Sequence, residues 1–150
     1  MKRKKIIWLL VLLVVAVGGW YAYKEFSRTH KDLQKVKPAY VLSATTLITE
    51  FEAGDSAAGK KFNGEVLEIT GFVKKLEKDE LGFYTIVLGD NNSLSSVRCS
   101  MDTVHKEDAA MVAAGSSVTV RGVCTGFNKD EMGLGSDVIL NRCVVIKKED

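Results

Sequence analysis

Hydrophobic and polar positions divide the chain into three regimes. Residues 6–23 carry no charge and consist mostly of Leu, Val and Ile. Eighteen helical residues at about 1.5 Å each reach about 27 Å, close to the roughly 30 Å of a bilayer's hydrocarbon, so this run predicts a spanning helix. Residues 24–37 are strongly charged, with Phe26, Leu33 and Val36 the few apolar positions, and end at Pro38, the only proline. Proline disfavours helix at the preceding residue, so residues 24–38 read as a helical juxtamembrane stalk that stops there. From Ala39 onward apolar positions recur with the short periods of a folded domain.

The remaining 112 residues suffice for one core and are too few for two. Ser43 is placed to N-cap a helix whose Leu47, Phe51, Ala58 and Phe62 share one face, with Gly54-Asp55 as a kink or restart. That face reads as packing on a barrel; the alternative is a partner groove. The period then changes to two: Leu67, Ile69 and Val73 alternate with Glu68, Thr70 and Lys74, and Gly71 sits where a strongly bent strand needs no side chain. Turns at 77–82 and 89–93 separate this strand from a second over 83–88 and a third over 96–101. Residues 102–115 return to a helical pattern, with Asp102 or Thr103 to cap it and Gly115 to stop it. Val118, Val120, Gly122 and Cys124 alternate in a fourth strand, and after a glycine-rich loop residues 138–146 supply a fifth. Five strands with a helix between the third and fourth is the order of an OB-fold, a partly open Greek-key barrel. The expected protein is therefore mainly β: a five-stranded OB-fold barrel with an N-terminal helix and a helix between strands 3 and 4, preceded by a single transmembrane helix. Its expected divisions are a signal anchor over 1–23, the stalk over 24–38 and the barrel domain over 39–150.

Four segments carry a family resemblance: SATTLITEFEAGDSAAGKKFNGEVLEITG at 43–71, VRC at 97–99, VTVRGVCTG at 118–126 and VILNRC at 138–143. Together they resemble the bacterial tRNA-anticodon-binding-like OB-fold family across nearly all of residues 40–146. The resemblance implies the OB barrel and frequent anchoring or export, and the family name rests on a fold relationship rather than on RNA binding. The sequence departs from the family pattern at Gly54, where a polar residue such as Asn is expected.

The apolar run admits two fates. Ala16-Val17-Gly18 offers a small-x-small signal cleavage site, whereas Trp20, Tyr21 and Tyr23, with Trp8 at the other end, suit the interfacial aromatic belts of a retained span. A retained anchor is the preferred reading, secretion after cleavage the alternative, and no Cys follows the run to take a lipid. Lys2, Arg3, Lys4 and Lys5 directly abut the span, while Glu25 and Asp32 dilute the cations beyond it, which places the N-terminus inside and the domain in the periplasm or exterior. Dividing the charge alters the picture further. Residues 1–37 hold nine Lys and Arg against two Asp and Glu, and residues 38–150 hold 12 against 17, so the globular part is acidic although the whole chain carries +2. That balance weighs against a nucleic-acid groove in the domain.

OB surfaces that bind nucleic acid combine cations with stacking aromatics on the second and third strands. Here Tyr84, Arg98 and Phe127 are the candidates for lining a groove, with ordinary barrel packing as the plain alternative for all three. Three cysteines in an exported domain allow one bridge and one free thiol: Cys124 with Cys143 is the first expectation, Cys99 with Cys143 the next, and three buried thiols remain open. No C-x-x-C pair, P-loop, nucleophile elbow or dinucleotide fingerprint occurs, so no metal, cofactor or catalytic residue is expected and the chain does not read as an enzyme. Three functional classes follow: a membrane-anchored extracytoplasmic module binding protein or oligosaccharide, a nucleic-acid-binding OB protein, or a structural subunit of an envelope assembly.

Overall fold

The computed structural model describes the backbone of residues 2–29 and 32–147, with side chains described over 6–26 and 32–147. Two compact units result, residues 1–32 and 33–150. The first is one helix, α1 (Lys2–Thr29), within which Ile6–Phe26 is long and apolar enough to cross a membrane. Its apolar side chains, including Trp8, Trp20, Tyr21 and Tyr23, are exposed to more than half their surface, as a lone span in lipid requires. Lys24 lies over the Trp20 ring at 5.2 Å, one turn away.

The second unit contains β1 (Tyr40–Ser43), α2 (Ala44–Ala53), α3 (Asp55–Phe62), β2 (Val66–Lys78), β3 (Tyr84–Leu88), β4 (Ser96–Met101), α4 (Lys106–Ala110), β5 (Ser117–Asn128) and β6 (Asp137–Val145). Strands run in the order β1-β2-β3-β4-β6-β5, and β5 pairs back to β2, so β2 to β6 close a five-stranded barrel. Alternation drives closure: Leu67, Ile69, Val73, Ile86, Leu88, Val97, Val120, Val138 and Leu140 are fully buried inside it. The helix pair α2–α3 plugs one end. Ser43 Oγ accepts from the Thr46 amide at 3.1 Å, the expected N-cap. Phe51 and Phe62 pack 5.9 Å apart in the core. The helix breaks at Gly54, and α3 begins at Asp55.

Three local expectations differ from the structure. β1 is an additional strand, paired parallel to β2 through Tyr40↔Leu67 and Ser43↔Thr70, in a segment expected to lead straight into the helix. A register irregularity in β2 falls between Val73 and Lys75, and Gly71 is the expected position without room for a side chain, since a Cβ there would lie 2.8 Å from that of Ala44. The helix between barrel strands 3 and 4 is a five-residue turn, α4, because Asp102 Oδ1 accepts from the Val104 amide and forms a turn ahead of it. The stalk expected over 24–38 divides: α1 continues to Thr29, residues 30 and 31 lie outside the described residues, and residues 33–36 belong to the barrel unit. Leu33 is buried there, and Arg121 Nη1 donates to the carbonyls of Leu33, Gln34 and Val36 at 3.2, 2.9 and 2.7 Å.

Candidate binding surfaces of the barrel

Strand parity decides what each surface can present. On β3, Tyr84 has the inward parity of Ile86 and Leu88 and packs half-buried against the core, with Lys78 over its ring at 5.3 Å. Arg98 pairs with Val87 across β3–β4 and faces outward. Phe127 stacks on Phe51 at 5.1 Å and so belongs to the seam between barrel and helix α2. The three residues expected to line one groove are therefore distributed over two faces and a helix seam.

The outer face of β2, β3 and β4 forms a shallow groove of about 440 Å³ that includes Lys74, Lys75, Arg98 and Asp137. Its cations are already engaged. Lys74 Nζ donates to the carbonyls of Ser93 (2.6 Å) and Ser95 (3.3 Å). Lys75 meets Glu77 at 2.5 Å, and Arg98 pairs with the other oxygen of the same carboxylate. Lys75 foremost, then Arg98, hold the Glu77 carboxyl below its usual value against the opposing effect of burial. Among the described residues, Leu94 and Leu134 are the large exposed apolar side chains lining the groove, and no aromatic ring lines it.

A larger cleft of about 810 Å³ opens on the outer side of β1 and β2, walled by the loop at 89–92. Its floor is a hydroxyl row: Ser43 is in register with Thr70, and Thr70 Oγ1 lies 2.9 Å from Thr119 Oγ1 on β5. Phe72, two residues along β2, is 61% exposed and lines the same cleft. Asp90 Oδ1 accepts from the Asn92 amide at 2.9 Å and shapes the loop. Sequence reasoning overlooked this cleft, although one signal was available: Phe72 is out of phase with the inward Ile69, Gly71 and Val73.

The first disulfide expectation, Cys124 with Cys143, falls on two of three free thiols. All three are buried, and Cys143 lies close enough to Cys99 for that thiol to add to burial in raising its pKa. The cause is a bulge. Arg142 adopts φ 56°, and β6 spends three residues from Leu140 to Cys143 where β4 spends two from Cys99 to Met101. Cys124 is left opposite Leu140, with Asn63 Oδ1 at 3.6 Å as its partner. Cys143 is carried over Gly122, which has no Cβ to obstruct its sulfur. Burial pushes the Cys124 thiol up to about 11 and raises that of Cys143 well above its ordinary value. His105 lies before α4, 3.8 Å from Asp108.

Comparison with known proteins agrees with this geometry. The tRNA_anti-like family matches residues 1–144. The chain belongs to that family. Among solved structures, a candidate nucleic acid-binding lipoprotein from Klebsiella pneumoniae superposes with TM-score 0.55 at 13% identity, covering 71% of this chain and 91% of the other. At that identity the likeness establishes a shared OB-fold. Aspartyl-tRNA synthetase from Entamoeba histolytica gives TM-score 0.47 at 10% identity, over 81% of this chain and 24% of the synthetase. No curated protein matches by sequence. This tRNA_anti-like chain thus combines an OB barrel with a helix able to span a membrane.

Proposed function

We propose that the chain is a membrane-tethered binding module whose non-catalytic OB domain works on the extracytoplasmic side and takes its ligand on the outer barrel surface. The observation that carries this reading is the junction of a 21-residue apolar span with an acidic domain, all of the chain's excess positive charge lying before Pro38. Four consecutive cations at 2–5 favour retention of the N-terminus in the cytoplasm, and a domain of this size translocates whatever its charge. The lipoprotein character named for the Klebsiella relative fits an envelope location.

Nucleic acid is the second reading, since the same relative is named for it. It has less support from the geometry. Single-strand binding needs free cations and stacking rings, and the β2–β4 groove spends its cations on Glu77 and on backbone carbonyls.

Reporter fusions to the C-terminus of the full chain test the placement. A periplasm-dependent phosphatase fused there should be active and a cytoplasm-dependent fluorescent protein dark, with the domain open to protease from outside the membrane. The reverse pattern overturns the proposal and restores nucleic acid as the leading reading. Intact mass of the membrane-bound product distinguishes a retained anchor from a cleaved signal.

A further inference from the structure

We propose that the cleft walled by β1, β2 and the 89–92 loop binds an uncharged polyhydroxylated ligand, a neutral oligosaccharide, with the Phe72 ring as its platform. The inference rests on the reading of the barrel as a binding module and names the ligand class of one of its surfaces.

Size comes first. The cleft, about 810 Å³, lies within the roughly 300–1,000 Å³ of small-molecule sites. Charge then selects the ligand. Asp90 is the only ionisable residue among the lining residues, and no Lys or Arg is among them. A phosphate backbone or an anionic headgroup would meet no cation there and one carboxylate, so affinity for either would be forfeited. What the lining offers is hydroxyl and amide: Thr70 and Ser117 on the strands, Asn91 and Asn92 on the loop. Each such group both donates and accepts, as does each hydroxyl of a sugar, so the two sets match without demanding a protonation state.

Phe72 supplies the apolar half of the match. Its neighbours Gly71 and Val73 point into the barrel, and the ring is left 61% exposed beside the hydroxyl row. A pyranose is polar at its rim and presents C–H bonds on its face, which an aromatic ring covers while the rim hydroxyls reach surrounding polar groups. The floor is rigid. Thr70 and Thr119 are linked at 2.9 Å, Gly71 packs against Ala44, and Asp90 holds the loop through the Asn92 amide at 2.9 Å and, by its carbonyl, the Ser93 amide at 3.0 Å. A preformed surface of this kind loses little conformational freedom on binding.

The test is a titration of the full chain in lipid nanodiscs, free of glycoside detergent, with N-acetylchitotetraose and with cellotetraose, followed by calorimetry. A 12-residue oligothymidine serves as the anionic comparison. Saturable binding of at least one sugar is expected, about tenfold weaker in Phe72→Ala, retained in Phe72→Trp, and unchanged in Leu81→Ala, an exposed apolar side chain on another turn. The melting temperature of Phe72→Ala establishes that the variant is folded. Absence of saturable sugar binding, or equal affinity in folded Phe72→Ala, overturns the proposal; so does oligothymidine binding that Phe72→Ala abolishes, which would make the ring a base-stacking platform. The binding assay reads the cleft whichever way the domain faces, so its failure is distinct from a failure of the topology experiment.

Discussion

At the scale of single residues, side-chain environment matters more than side-chain identity. Three cysteines in a domain expected to be exported suggest a bridge, yet each thiol sits in the barrel interior as a small apolar group. Burial favours the neutral thiol. Cys124 therefore stays protonated until about pH 11, and Cys143 also titrates well above its ordinary value. Folded protein treated with iodoacetamide at pH 8 should leave both unmodified, whereas denatured protein should react at all three. The linkage has a definite sign. The unfolded chain loses its Cys124 proton near 9.0 and the folded chain near 11, so the stability associated with this group is intact below pH 9 and falls as pH rises between these values. Melting temperatures across pH 8–11 measure it, and Cys124→Ala should flatten the slope. No shift in slope would mean the thiol is accessible in the folded state.

At the scale of elements, the strap over residues 33–36 depends on one arginine from a distant strand. Arg121 is in register with Glu68 on β2, bonds its carboxylate through Nε (3.1 Å) and Nη2 (2.5 Å), and turns Nη1 to three strap carbonyls. Both side chains are largely buried, at 13% and 20% exposure. Arg121→Ala removes the charged donor and leaves the largely buried Glu68 without its partner, a loss of about 2–4 kcal/mol. Trypsin should then cut after Lys35 faster than in the parent protein, and digestion followed by mass spectrometry reads this directly. Sequence pattern separated these elements unequally. Strand β4 was legible to the residue, because Val97, Cys99 and Met101 alternate cleanly with polar neighbours. Neither β1 nor the strap was legible, because a four-residue parallel strand and an irregular segment held by carbonyl contacts have no period of their own.

At the scale of the whole molecule, the division of charge separates the functional readings. The cations concentrate in α1 and its flank, and on the barrel's β2–β4 face Lys75 and Arg98 share the Glu77 carboxylate while Lys74 is held by backbone carbonyls. Lys75 foremost, then Arg98, keep the Glu77 carboxyl ionised to lower pH than is usual for such a group, so at neutral pH it screens this face from polyanions, and the screen lifts only as acid protonates Glu77. Glu77→Gln should raise affinity for oligothymidine at low salt by about threefold to tenfold at pH 7, and the gain should shrink as salt is added. Fluorescence anisotropy checks both. Equal affinity in parent and variant would show that Glu77 does not mask this face.

Local chemistry along the chain determined the span, the Ser43 cap, the alternation of the barrel strands and the acidity of the domain, because each depends on near neighbours or on composition alone. Tertiary structure decided the rest. The Arg142 bulge redirects Cys143 from Cys124 toward Cys99, β1 adds itself beside β2, and the turn at Asp90 closes a cleft around Phe72. Each of these outcomes brings together residues remote in sequence. Register and bulges are set by the closure of the barrel, and a strand's own period determines which side chains alternate but not which partners they meet.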